Sequence, residues 1–407
     1  MKASSITKVI IKRFRSFPEA TLDFDNPLFI VGRNGSGKSN LADVFSFVSE
    51  AMASPLQAVF DRRGGIGAVC NQSSGKQSSK SKLGLAFEFG PFNGAKGGQF
   101  AFEVESLPHY SYRIVREQCL VRMQDGSNWW FDRTDKWQSN AEGLTPALEP
   151  SALALPLVGG DERFAPIFRV LGGMRVYAIQ PAKLREMQDP DSGVVLRSDG
   201  GNTASVLQEL LRGKDAAAAK AEINRILESI VPATKSVSPK KHGNKLSMSF
   251  SQAWGENKKL TFDAFNMSDG TLRSLGLIMA VFQKPSPSLL VIEEPEATIH
   301  PGALGAMLDL IRKAAKTMQV VVTTHSPELL DASWITDANL RIVSWEAGAS
   351  RLLRPSEAAR EAMRQHIMGA GELLRSNALH PDPLATHPDP LFIGGNAHRF
   401  GLLAELL

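Results

Sequence analysis

An α/β fold is predicted, with a mixed core sheet, an antiparallel β lobe and a small helical lobe, on three observations. A buried-strand run, Leu28 to Val31, leads into a glycine-rich loop and then an apolar-spaced helix. Two further apolar runs, Leu289 to Ile292 and Val320 to Val322, end abruptly in acids or hydroxyls. Between them, Leu83 to about Phe131 carries short alternating runs separated by glycine-rich turns, the pattern of an antiparallel sheet.

The loop is a complete P-loop. Gly32, Gly37, Lys38 and Ser39 fit G-x-x-x-x-G-K-S. In that pattern bare backbone N–H groups wrap the phosphates of a nucleotide, the lysine reaches the outer phosphates and the serine hydroxyl addresses Mg²⁺. Asn34, Gly35, Ser36 and Asn40 belong to the same cradle, and the helix that begins here points its positive end at the anion. Leu41, Val44, Phe45 and Val48 supply the helix's apolar spacing.

Composition sets limits on the rest. The chain has 407 residues, a formal charge of +4 and two cysteines, Cys70 and Cys119, too far apart for a C-x-x-C. Such a slight basic excess permits nucleic-acid contact without requiring it. Neither a zinc site nor a disulfide framework is indicated, and no signal peptide or membrane-length apolar run is evident, so a cytoplasmic location is expected.

In order, Ile6 to Lys12 and a run through Leu22 and Phe24 read as two strands ahead of the P-loop strand. Arg15 and Ser16 between them lie close enough in sequence to the P-loop to touch a nucleotide. Residues 61–82 read as a basic loop that suits either solvent or a phosphate backbone. Trp129, Trp130 and Trp137, interleaved with Arg133 and Lys136, suit a stacking platform but are expected to be packed. Met174 to Ile179 is an apolar strand ending at Gln180. Residues 203–231 have the spacing of one or two helices, and a short basic β segment follows. Ser268-Asp269-Gly270-Thr271 then caps an apolar helix. Glu293 and Glu294 end one buried strand and Thr323, Thr324 and His325 the next. Paired acids at a strand end are expensive to desolvate unless a cation or substrate shares the site. Ligands of open α/β sheets collect at the carboxyl ends of strands, which gathers the P-loop, Gln180, Glu293, Glu294 and His325 at one edge. A strand over Leu340 to Trp345, a helix from about Ser356 to Met368 and a tail with two His-Pro-Asp-Pro segments close the chain.

The order GRNGSGKS, Gln180, SDGTLR, LLVIEEPE and TTHSPELL resembles the ATP-binding-cassette head of SMC/RecF-like ATPases, specifically compact bacterial AAA-family ATPases without a long coiled coil. The resemblance spans most of residues 6–331. It implies ATP and Mg²⁺ as cofactors: Lys38 on the outer phosphates, Ser39, Gln180 and Glu293 as metal groups, and Glu294 polarising the attacking water. His325 would be the switch histidine. Ser268, Asp269 and Gly270 would bind the γ-phosphate of a second protomer in a head-to-head homodimer, with residues 296–300 crossing to that protomer. Glu293 stands where many relatives have Asp, and neither long heptads nor a nuclease module is evident. The implied organisation is residues 1–60 as the first half of the core, 61–172 as an inserted β lobe, 173–182 as core strand and Q-loop, 183–265 as lid, 266–346 as the second half, and 347–407 as an appendage.

Three functions compete on this basis. One is an ATP-hydrolysing switch in DNA maintenance or defence against foreign DNA, with a separately encoded effector. The others are an ATP-binding scaffold of slow turnover that holds a partner protein, and a transporter motor. The last is weakest, since the FRSF opening is of the SMC/RecF type and no membrane partner surface is legible.

Overall fold

The computed structural model describes residues 6–71, 81–92, 94–232, 234–254, 258–382 and 390–392. Its centre is a six-stranded sheet in the order Ala349–Leu353, Leu340–Glu346, Leu28–Val31, Gln319–Thr324, Leu289–Glu293, Met174–Tyr177. Five of these strands run parallel and Ala349–Leu353 is antiparallel to its neighbour. The central strands carry unbroken apolar runs, residues 28–31, 289–292 and 320–322, because both faces are covered, as parallel sheets require. Register places Ile30, Thr323 and Glu293 in one row, with Val31 and Thr324 in the next. The polar strand ends therefore meet at one edge.

Side chains alternate between two cores. Leu28 and Ile30 enter the core shared with the antiparallel sheet, whereas Phe29 and Val31 enter the core under the signature helix, Asp269–Phe282. The P-loop helix, Lys38–Ala53, is wedged between the two sheets. Its Phe45 meets Phe24 and Phe87 edge-on, Phe47 meets Phe14, and Ser49 Oγ donates to the Met174 carbonyl at 2.9 Å. Burial on both flanks explains why apolar residues occupy more than one stripe of this helix.

The antiparallel sheet has seven strands, ordered Phe17–Asp23, Ile6–Phe14, Lys82–Phe89, Ala95–Ser106, Tyr112–Met123, Asn128–Arg133, Trp137–Ser139. The two N-terminal strands thus belong with residues 82–139, which departs from an arrangement in which residues 1–60 form core and 61–172 an insertion. The reason is edge satisfaction. The hairpin with Phe17–Asp23 leaves one edge of Ile6–Phe14 open, and Lys82–Phe89 fills it with Ile10 opposite Ala86. Leu56–Asp61 and Ile66–Val69 are short helices, so part of the expected 61–82 loop is structured; most of its basic stretch lies outside the described residues. Trp129 and Trp137 are packed: Trp137 stacks on Phe131, and Arg163 lies over Trp129.

On the opposite face of the core sheet, two helices, Thr203–Leu210 and Ala216–Ile230, and a three-stranded sheet, Thr234–His242, Lys245–Trp254 and Lys258–Asp263, pack about the signature helix. The C-terminal region adds the edge strand Ala349–Leu353 and two helices, Glu357–Arg364 and Ala370–Arg375; the first is shorter than the expected 356–368. Asp382 of the first HPDP segment pairs with Arg360 at 3.2 Å, and the second segment lies almost wholly outside the described residues. Among the described residues no helix is long and apolar enough to cross a membrane.

One ion pair is sealed inside the antiparallel lobe. Glu117, fully buried, accepts from the amides of Ala154 (2.6 Å) and Leu155 (2.8 Å) and lies 3.6 Å from Arg133. Burial nonetheless pushes its carboxyl up to about 7, with the two amides and Arg133 opposing. A carboxyl raised in the folded state contributes stability that is fully present below the ordinary carboxylate range and lost as pH rises through about 7. Thermal melts should show wild type losing ground to Glu117→Gln between pH 4.5 and 7.5, by at most about 1.4 kcal/mol per pH unit. A difference that does not vary with pH removes this assignment.

Candidate functional site: a phosphate loop facing three carboxylates

The loop between Val31 and Lys38 depends on close approaches. Gly37 has φ 111° and Gly35 φ 77°, conformations that L side chains rarely adopt. A Cβ on Gly37 would overlap Ser350 Oγ, and one on Gly32 would overlap the Val343 carbonyl oxygen. Ser350, fully buried on the edge strand, donates to the Ser36 carbonyl at 2.6 Å, and its Oγ is hydrogen-bonded to Ser16 Oγ at 2.7 Å. Ser16 Oγ also accepts from Asn40 Nδ2 at 2.8 Å. Strand, loop and helix are thereby tied together beneath the cradle, while Asn34 and Gly35 lie exposed at its rim.

Lys38 is buried, and its ammonium donates to the Gly32 carbonyl at 2.8 Å and the Arg33 carbonyl at 3.2 Å. Glu294 Oε1 lies 3.7 Å away. Burial holds the lysine below its ordinary range, with Glu294, Glu296 and Glu293 drawing it back up. Burial raises the carboxyl of Glu293, with the Ser39 hydroxyl opposing the rise and the charges of Glu294 and Asp43 adding to it. Ser39 and Glu293 thus offer oxygens of the kind that hold a hard cation.

Glu294 takes φ 43°, and its amide donates to the Thr323 carbonyl at 3.0 Å. That turn aims its partly exposed side chain between Lys38 and His325, whose Nδ1 is 3.4 Å from Glu294 Oε1. Lys38, Ser39, Glu293, Glu294 and His325 thus converge as the strand-end argument expects.

The remaining expected residues stand apart. Arg15 Nε is engaged by Asp43 Oδ2 at 2.5 Å, along the flank of the P-loop helix. Gln180 is exposed just beyond strand Met174–Tyr177, two residues shorter than expected because the chain turns to bond residues 198–199. It caps a short helix, Pro181–Arg185, whose Arg185 donates to Asp269 at 2.5 Å and the Met267 carbonyl at 3.0 Å. The Asp269 carboxylate is thus occupied within its own chain. Ser268 Oγ accepts from the Thr271 amide at 3.3 Å as a helix cap. A Cβ on Gly270 would stand 2.5 Å from the Thr298 carbonyl oxygen, so the signature packs against the loop after Glu294. Arg273 completes that contact on the Glu294 carbonyl at 3.5 Å.

Within residues 296–300, only Thr298 and His300 are exposed; Ile299 is buried and Glu296 turns inward onto its own chain. Glu296 and Ser350 were not recognised as site residues from sequence. The alternation of strand Ala349–Leu353 could have hinted at Ser350, but nothing local marks its partner as the P-loop.

This architecture is a P-loop α/β domain with the fold of Smc heads. The chain belongs to the family described as "AAA domain, putative AbiEii toxin, Type IV TA system", whose profile matches residues 28–331. No curated protein matches it. Among solved structures it is similar to an Smc head bound to the C-winged helix domain of ScpA, at 17% identity and TM-score 0.51 over 88% of this chain and 99% of that one. It is similar also to the Smc head domain with an extended coiled coil bound to the C-terminal domain of ScpA derived from Pyrococcus furiosus, at 14% identity and TM-score 0.53 over 89% and 99%. At these identities the likeness bears on fold.

Ser350→Ala should lower stability by about 1–3 kcal/mol, since it leaves the buried Ser36 carbonyl short of a donor, and weaken binding of a non-hydrolysable ATP analogue several-fold. Denaturant unfolding and calorimetry read the two effects. A variant matching wild type in both would remove Ser350 from the support of the P-loop.

Proposed function

We propose that this protein binds and hydrolyses ATP with Mg²⁺, and that hydrolysis requires two copies closed head-to-head. The observation that carries the reading is the buried Lys38, whose ammonium is held by two loop carbonyls and faces Glu294, with Glu293 at the end of the neighbouring strand. Phosphate oxygens offer Lys38 better acceptors than the neutral carbonyls of Gly32 and Arg33. Backbone amides of residues 34–39 and the helix start would take the remaining phosphate charge, with Ser16, Asn40 and Arg15 bracing the cradle.

Mg²⁺, when bound, would neutralise phosphate charge, and Ser39 and Glu293 are the groups that would hold it, with Gln180 joining them only if it moves in from its exposed position. Glu294 would accept the proton of the attacking water, and His325 would contact the outer phosphate. The catalytic groups are thus Lys38, Glu294 and His325, and most of the rate would come from positioning and charge stabilisation. Completion of the site would come from Ser268 and Gly270 of the second copy. The protein's own Arg185 and Arg273 hold that helix start in place.

ATP would then set dimer shape for a separately encoded effector. Two findings support a partner-reading role: the family description names a toxin of a type IV toxin–antitoxin system, and the similar Smc heads are bound to ScpA. We place the function in defence against foreign DNA or in DNA maintenance, with DNA itself as a candidate stimulus.

Light scattering with ATP and Mg²⁺ tests the core of this proposal. Glu294→Gln should double in mass and hold that mass for at least ten times the wild-type lifetime, while Lys38→Ala should neither bind ATP nor change mass. Wild-type turnover in Glu294→Gln would remove Glu294 as the base. Tight ATP binding with no turnover, with or without duplex DNA, would instead favour a scaffold that holds a partner.

A further inference from the structure

Glu296 has no role in the scheme above, yet it is the most deeply placed acid of the site. Its side chain is 7% exposed. Oε1 accepts from Thr324 Oγ1 at 2.6 Å and, at longer range, from the His325 amide at 3.4 Å. The same oxygen lies 3.8 Å from His325 Nδ1, while Glu294 Oε1 lies 3.4 Å from that nitrogen. Oε2 is buried without a hydrogen-bond partner.

A buried carboxylate with one unused oxygen is costly, and an apolar residue of similar size would pack here at less expense. The arrangement makes sense where the oxygen that is used has a task. Thr324 is fully buried, and its hydroxyl also accepts from the Ser326 amide at 3.0 Å. Glu296, Thr324 and Ser326 therefore clamp the backbone on both sides of His325. The imidazole itself is partly exposed, and among the described residues the polar contacts of its ring are with the carboxylates of Glu294 and Glu296. Without the clamp, the ring has no fixed place relative to Glu294.

We infer that Glu296 is a positioning residue for His325: it fixes the end of strand Gln319–Thr324 through Thr324 Oγ1 and the His325 amide, so that the imidazole is held between two carboxylates and ready to face a phosphate. The inference rests on the ATPase reading for its kinetic consequence, but not for its structural one. Glutamine can supply the same acceptor oxygen, whereas alanine supplies none and leaves the Thr324 hydroxyl unpaired in the core.

The test combines turnover with nitrogen NMR of histidine-labelled full-length protein, the His325 ring signals being those lost in His325→Gln. Glu296→Ala should lower kcat for ATP at least tenfold with KM within about threefold, and should shift the His325 ring signals even without nucleotide. Glu296→Gln should bring both back most of the way. Thr324→Val, which keeps volume and removes the hydroxyl, should move the same signals, and it serves if the alanine variant fails to fold. Ring signals unmoved in Glu296→Ala and Thr324→Val overturn the inference, as does a fall in kcat without a ring shift. If wild type turns over no ATP, the ATPase reading fails, and the NMR comparison alone decides the role of Glu296.

Discussion

The site turns on one constraint: a lysine ammonium buried at the start of a helix, where the dipole is unfavourable to a cation, must be held by acceptors. Lys38 meets this with two carbonyls of its own loop and with the field of Glu294, Glu296 and Glu293. The carboxylates in turn are crowded at strand ends, where burial and mutual repulsion raise Glu293. Cation and acids each make the other's burial tolerable. An incoming polyphosphate with a divalent cation would relieve both sides at once, which is the electrostatic logic of such a pocket.

Holding that arrangement requires a rigid floor. It comes from the P-loop helix trapped between two sheets and from the edge strand that slides Ser350 under Gly37. The lobe that includes the N-terminal strands is therefore part of the nucleotide site's mechanics, because Ser16 at the turn between those strands bonds both Asn40 and Ser350. Arg15, one residue earlier, ties the same turn to Asp43.

A second set of contacts links the strand ends to the signature helix. Arg185 joins the helix after Gln180 to Met267 and Asp269, and Arg273 reaches the carbonyl of Glu294. Gly270 lies so close to Thr298 that the loop after Glu294 and the signature must move together. Any displacement of Glu294 would be transmitted to the start of the signature helix.

What the sequence determined by itself was whatever has a local signature. The P-loop follows from glycine and lysine spacing, the buried strands from uninterrupted apolar runs, and the strand-end acids from the abrupt change of polarity after Ile292. The convergence of Lys38, Ser39, Glu293, Glu294 and His325 followed from the rule that parallel strands share one carboxyl edge, and the register of Ile30, Thr323 and Glu293 realises it. Tertiary structure alone decided the rest. Nothing local told Ile6–Phe14 to pair with Lys82–Phe89, Ser350 to lie beneath Gly37, or Arg15 to turn to Asp43. Nor did it tell Glu296 to fold inward while its neighbours Thr298 and His300 stay exposed. Those outcomes are set by which open edge, buried carbonyl or orphan hydroxyl a group finds once distant segments are packed, and such partners leave no mark in the spacing of residues along the chain.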